Sequence, residues 1–321
     1  MGSKAVIRPP RLAPGSRVAL VAPAGPLGER DDLARAIELC QALGWVPAPG
    51  EHALERHGYL AGTDDVRVAD LNTALEDPTM DAVWCLRGGY GVTRLLDRVN
   101  YDALARWPKP IIGYSDITAL LLAIRAETGL VTFHGPMSRA PLTSFSRTHF
   151  EQVLTRAEPA GLLVGRTPPA DVLVPRSPRV VALAGGVAEG PLVGGNLTLL
   201  LALAGTPFFP DLAGALLFLE DVGEDLYRVD RLFSQLRLMG VLKQLAGVVV
   251  GQFTDMKRGA GDGGALAFDE VLFSYLARLK IPVAYGFPFG HVDDQWTLPL
   301  GVRARLDADA GTVSLLEPAV G

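Results

Sequence analysis

Short apolar runs alternate with helix-periodic segments through the first 135 residues, and this alternation limits the fold more than any other feature of the chain. Arg17–Ala22 is a buried-strand pattern that ends at Pro23-Ala24-Gly25-Pro26. Leu33, Ala36, Ile37, Cys40 and Leu43 then share one helical face, with Asp31 or Asp32 able to cap its start and Gly44 able to end it. Val68, Leu71 and Leu75 mark a second helix and Ala82–Leu86 a second strand. Val92, Leu95, Leu96 and Val99 have the spacing of a third helix. Ile111–Tyr114 is a further strand, followed by a helix through Ile117, Leu120, Leu121 and Ile124 that stops at Gly129, and by a last short strand, Leu130–Phe133. Continuous apolar strands separated by helices predict a parallel sheet covered on both faces.

Beyond Met137 the pattern dissolves into Pro, Ser, Thr and Arg, with one helix expected near His149–Arg156. A length of 321 residues suits two domains. We therefore expect an α/β domain over 1–138, a linker over 139–179 and a second domain over 180–321. Val180–Val193 reads as short strands and tight turns, Leu216–Glu220 and Gly247–Phe253 as strands. Val229, Leu232, Phe233 and Leu236 form one helical face ended by Gly240, and Phe268, Val271, Leu272, Tyr275 and Leu279 another. The tail from Thr297 to Leu316 reads as a hairpin turning at Asp307–Gly311. The second domain is thus an α/β unit with a mixed sheet.

Thirty basic and 35 acidic side chains leave a net charge of −5, which argues against a nucleic-acid binder in need of a basic field. Cys40 and Cys85, each in an apolar run, offer neither a disulfide framework nor a cysteine zinc site. No run of about 20 apolar residues suggests a membrane span, and Met1–Pro10 lacks a signal-peptide core, so we expect a cytoplasmic protein. No dinucleotide fingerprint or phosphate-binding Gly-Lys-Ser/Thr loop is present, and the histidines lack metal-ligand spacing, so no cofactor or metal is expected.

In an open α/β sheet ligands bind beyond the carboxyl ends of the strands, which singles out the residues after each strand. Ser115, in Gly113-Tyr114-Ser115-Asp116-Ile117, stands at a strand-to-helix turn that would expose its hydroxyl, although Ile117 replaces the second glycine of the G-x-S-x-G pattern. It reads as a nucleophile or as a plain helix cap. Gly88-Gly89-Tyr90-Gly91 is either a tight turn or an oxyanion contributor. Of the five histidines, His52 and His57 lie in a polar loop and His149 in the linker, where a solvated role suits them. His134 and His291 follow strands, each readable as a site residue or as an ordinary structural one. Glu220 closes an apolar strand where an orienting acid would sit, with capping or a solvated loop as the other readings.

Long stretches of the sequence are similar to the LD-carboxypeptidase family of serine peptidases. They include Gly58–Asp64 with Arg67 and Asp70-Leu71-Asn72, Asp81–Gly91, Pro108–Leu120 and Gly129–Pro136. Further on come Gly194–Leu197, Leu219–Glu224 with Tyr227–Arg231, and Gly290-His291 with Thr297-Leu298-Pro299 and Gly301. The resemblance runs from about Ser16 to Leu306. It implies a flavodoxin- or amidotransferase-like N-terminal domain, a C-terminal α/β domain and a homodimer. It also implies a Ser–Glu–His triad carried by Ser115, Glu220 and His291, with Glu224 as the alternative acid, and an oxyanion site at the backbone N–H groups of Gly89 and Asp116. The implied reaction releases terminal D-alanine from murein tetrapeptide at an L-to-D bond during cytoplasmic recycling of cell-wall fragments.

A carboxypeptidase needs a cation for the free terminal carboxylate, and Arg87, directly before the glycine-rich turn, is placed for it, with Arg231 as the alternative. A microcin immunity-type relative in the same family cleaves peptidyl or aminoacyl adenylates and stacks the adenine on an aromatic loop residue. Here Trp45, Trp84, Trp107 and Trp296 all lie outside residues 150–190, which favours the murein substrate. A non-catalytic protein holding a small ligand between its domains is the remaining alternative.

Overall fold

The computed structural model describes residues 4–165, 179–257 and 266–321. The first half opens with β1 (Arg17–Val21), α1 (Arg30–Ala42), β2 (Val46–Pro49), α2 (Asp64–Glu76), β3 (Ala82–Cys85) and α3 (Tyr101–Arg106). It continues through β4 (Ile111–Gly113), α4 (Thr118–Thr128), β5 (Thr132–His134) and α5 (Ser144–Thr155). In the sheet the strands run β2-β1-β3-β4-β5, all parallel, so every β-to-α loop emerges at the same edge. Val18, Leu20, Val83, Trp84, Ile111 and Ile112 are fully buried, as strands covered on both faces must be.

Three local details depart from the sequence pattern. Val46–Pro49 is a strand despite two prolines, because it is the sheet edge: Val46 donates to the Ser16 carbonyl just before β1 and Gly50 to the Leu20 carbonyl in it, while Pro47 and Pro49 need no partner. Helix α1 is entered at Glu29 rather than at Asp31 or Asp32, and the Asp32 carboxylate reaches back to accept from the Gly28 and Glu29 N–H groups at 2.9 and 3.2 Å. The helix expected through Val92–Val99 is two 3₁₀ turns, Val92–Arg94 and Leu96–Arg98. The segment is held at one end by Asp116, which accepts from the Val92 N–H, and at the other by Asn72, which accepts from the Asn100 N–H. A 3₁₀ turn advances farther per residue than an α-turn and so spans a fixed gap with fewer residues.

The second half comprises β6 (Gly161–Leu162), β7 (Val181–Ala184), β8 (Val187–Asn196), α6 (Leu197–Ala202), β9 (Leu216–Val222), α7 (Leu226–Leu238) and β10 (Gly247–Thr254). Helix α8 (Phe268–Leu276), β11 (Val283–Tyr285), β12 (Leu298–Leu300), β13 (Arg303–Asp307) and β14 (Thr312–Leu315) complete it. Its sheet runs β6-β14-β13-β8-β9-β10-β11-β7, parallel from β8 to β11 and antiparallel at both flanks. The expected terminal hairpin is β13–β14.

The two halves are interleaved. Strand β12 leaves the second half and pairs antiparallel with β5, so the first sheet has six strands. Helix α5, within the 139–179 segment, packs Phe150 against Trp45 and Trp84 of the first half, whereas β6 from the same segment pairs with β14. The C-terminal Gly321 exchanges backbone hydrogen bonds with Arg11 and Pro9. Among the described residues no helix is long and apolar enough to cross a membrane.

Candidate active site

Strand β4 ends in a forced turn. Ser115 has φ +60, a conformation that a side-chain-bearing residue adopts only when its surroundings impose it. The imposing contacts are local: the Ile117 N–H donates to the Tyr114 carbonyl, and Ser115–Ile117 forms a 3₁₀ turn leading into α4. Gly113 makes room, since a Cβ there would stand 2.9 Å from the Ile117 side chain. Ile117 is therefore tolerated where the usual turn has glycine, because the space is left at Gly113.

Opposite this turn lies the loop after β3. A Cβ on Gly88 would fall 2.8 Å from Ser115 Cβ and 3.0 Å from its Oγ, so only glycine allows this approach. The two loops are pinned by Asp116, 1% exposed, whose Oδ2 accepts from the Val92 N–H at 2.9 Å. Burial pushes the Asp116 carboxyl up to about 6, against that hydrogen bond and the Arg67 charge. Arg67, also buried, donates to the carbonyls of Pro23 and Gly91 and to Asp64, and so ties the loop after β1 to the loop after β3.

The other half of the site comes from the second sheet. His291 Nε2 lies 3.1 Å from Ser115 Oγ, and its Nδ1 lies 2.8 Å from Glu220 Oε2. Glu220, on β9, is fully buried, and burial raises its pKa although the partnership with His291 opposes the shift. Gly290 permits the contact: its φ is +111, and a Cβ there would lie 2.9 Å from Glu220 Cβ and 3.0 Å from Oε2. The loop carrying His291 is clamped by Gln252 of β10, whose Nε2 donates to the Gly286 and Phe287 carbonyls. Tyr114 stands edge-on to the His291 ring, 4.9 Å between centroids, and shields it from one side.

Ser115, His291 and Glu220 are thus brought into one hydrogen-bonded chain. Glu224, the alternative acid, instead lies 3.8 Å from Arg228. Gly89 and Asp116 sit on the two facing loops, with Gly89 exposed. Arg87 is half-buried behind the same turn and donates to the Pro26 carbonyl. Arg231 lies on the exposed face of α7 with its guanidinium over the Tyr227 ring. His134 does not reach the reacting side chains. It is buried among Tyr114, Phe218 and Phe289, neither ring nitrogen has a hydrogen-bond partner among the described residues, and burial drives its pKa down to about 3. Sequence reasoning missed the Asp116 carboxylate and the Gln252 clamp. The acid carried a usable signal, since an Asp directly after a turn serine faces the neighbouring loop, whereas nothing local marks Gln252.

Residues 18–135 match the LD-carboxypeptidase N-terminal domain and residues 189–306 match the LD-carboxypeptidase C-terminal domain. The chain belongs to the LD-carboxypeptidase family. Its sequence is similar to the murein tetrapeptide carboxypeptidase of Pseudomonas aeruginosa, 36% identical over 301 residues covering 91% of this chain and 94% of that protein. It is also similar to the microcin self-immunity protein MccF of Escherichia coli, 31% identical over 304 residues covering 88% of this chain and 87% of that protein. The crystal structure of muramoyltetrapeptide carboxypeptidase from Oxalobacter formigenes superposes with a TM-score of 0.78 at 35% identity, covering 94% of this chain and 98% of that one. This LD-carboxypeptidase family member therefore shares the fold of the solved muramoyltetrapeptide carboxypeptidase, and its family membership supports a peptidase of the serine type.

Proposed function

We propose that the protein hydrolyses the L,D bond of murein tetrapeptide, releasing terminal D-alanine in the recycling of cell-wall fragments. The observation that supports this reading best is the continuous chain from Ser115 Oγ through the His291 ring to Glu220. Ser115 Oγ attacks the carbonyl of the scissile bond while His291 Nε2 takes its proton, then returns it to the departing D-alanine amine. Water, activated by the same nitrogen, releases the acyl group. Glu220 fixes the imidazole so that Nδ1 carries hydrogen and Nε2 is free to accept it. The backbone N–H groups of Gly89 and Asp116 hold the oxyanion, and Arg87 takes the terminal carboxylate.

A second reading, cleavage of an aminoacyl adenylate, draws support from the likeness to MccF. The lack of tryptophan between residues 150 and 190 weighs against it. The deciding experiment incubates the protein with L-Ala-γ-D-Glu-meso-diaminopimelate-D-Ala and, separately, with an aminoacyl sulfamoyl adenosine, and follows the products by mass spectrometry. Free D-alanine is expected from the first, and Ser115→Ala should lower its release about 10⁴-fold or more. Cleavage of the adenylate analogue alone would overturn the proposal.

A further inference from the structure

Three arginines gather at the carboxyl edge of the first sheet, on the same edge as Ser115, and none forms an ion pair among the described residues. Arg87 follows β3 and donates to the Pro26 carbonyl. Arg56, in the loop after β2, donates through Nη2 to the next carbonyl, Leu27, at 2.7 Å, so one short stretch of backbone holds both guanidinium groups. Arg139 follows β5, and its neighbour Ser138 donates N–H to the carbonyl of Cys85, the last residue of β3, at 3.1 Å. The backbone at Arg139 is thereby fastened two residues from Arg87.

One acid, Asp32, bears on this group, without an ion pair to any of the three arginines among the described residues. Asp32 spends its Oδ2 on the Gly28 and Glu29 N–H groups and lies 3.5 Å from Arg35. Burial lowers the Arg87 pKa, and the Arg139 and Arg56 charges lower it further, with Asp32 opposing. Arg56 and Arg139 are exposed, so a ligand reaches them without rearrangement. Like charges, two of them held by adjacent backbone carbonyls, at the edge where an open sheet binds its ligands, suit an anionic ligand.

We propose that Arg56 and Arg139 bind a second carboxylate of the substrate, beside the terminal one at Arg87, so that the site selects peptides bearing internal acidic groups. The inference rests on the peptidase reading and adds a substrate preference to it: a peptide whose internal carboxylates are amidated should be a poor ligand. Arg56 and Arg139 would then be specificity residues remote from the bond that breaks, acting in binding and not in proton transfer.

The test uses Ser115→Ala, which holds peptide without cleaving it, and calorimetric titration with two ligands. One is L-Ala-γ-D-Glu-meso-diaminopimelate-D-Ala, and the other is the same peptide amidated at its D-Glu and diaminopimelate carboxylates but free at its terminus. The free-acid peptide should bind about tenfold more tightly or better, as a charge-assisted hydrogen bond implies. Adding Arg56→Gln and Arg139→Gln should shrink that ratio to about twofold or less, with circular dichroism confirming that the exposed substitutions leave the fold intact. Equal affinity for the two peptides, or a ratio that survives both substitutions, overturns the inference. Discrimination in binding with no D-alanine release from the unsubstituted enzyme would overturn the hydrolytic reading alone and leave the acidic-peptide site standing.

Discussion

The two sides of the Ser115–His291 hydrogen bond are built in opposite ways. On the Ser115 side most of the shaping is local: Gly113, Tyr114 and Ile117 set the turn, and Asp116 and Gly88 fit it against the loop after β3. The His291 side is assembled across 71 residues of sequence, with Glu220 from a buried strand, Gln252 from the next strand clamping the loop, and Gly290 leaving room between them. The nucleophile is held by local backbone strain and contact. The base is held by a long-range fit in which one misplaced methyl group breaks the line from acid to serine.

The sharpest way to break this contrast is Glu220→Gln. On the proposed mechanism an amide at this position loses the tautomer control of His291, and kcat should fall by roughly 10⁴-fold, as measured for the equivalent exchange in a serine-protease triad. Stability should move the other way or stay level at neutral pH, because a buried carboxyl whose pKa is raised by burial is more costly ionised than as a neutral amide. Steady-state kinetics and urea unfolding of the same sample check both. A joint loss of activity and stability would mean that the carboxylate holds the fold rather than the imidazole.

Gly290→Ala should have the next largest effect. It adds a methyl group about 3 Å from Glu220 at a backbone φ of +111, so the His291 loop must shift. A displacement on the order of 1 Å at a catalytic base lowers kcat about 10²-fold. The left-handed backbone adds a stability loss on the order of 1–3 kcal/mol. Kinetics and a denaturation curve measure the pair. Wild-type activity in this variant would show that the base side tolerates movement and that the contrast with the serine side is overdrawn.

The same contrast explains what was legible in the sequence. The order of strands β1, β3, β4 and β5 and the place of Ser115 could be read directly, because continuous apolar runs and a strand-to-helix turn are local signals. Edge strand β2 is not legible there, because prolines conceal a strand whose hydrogen bonds lie on one side only. The passage of β12 into the first sheet has no local mark, since its partner β5 lies more than 150 residues earlier in the chain. The choice of Glu220 over Glu224 came from family likeness, and it takes the β8–β9–β10 register to show why only the strand residue faces His291.

The smallest expected effect tests the serine side. Asp116→Asn keeps an oxygen for the Val92 N–H, so kcat should stay within about tenfold of wild type. Its stability should differ in how it depends on pH. The Asp116 carboxyl is raised from 3.8 to about 6 in the folded protein, so between these values the folded chain binds more protons than the unfolded one. Stability contributed by the protonated acid is then present below the lower value and lost as pH rises through the upper one, a fall of about 3 kcal/mol in wild type that the asparagine variant should lack. The difference in unfolding free energy between the two proteins, measured from pH 4 to 7.5, should therefore move toward the variant as pH rises. A difference that stays flat across this range would mean that the buried Asp116 carboxyl is ionised in the folded protein at no cost.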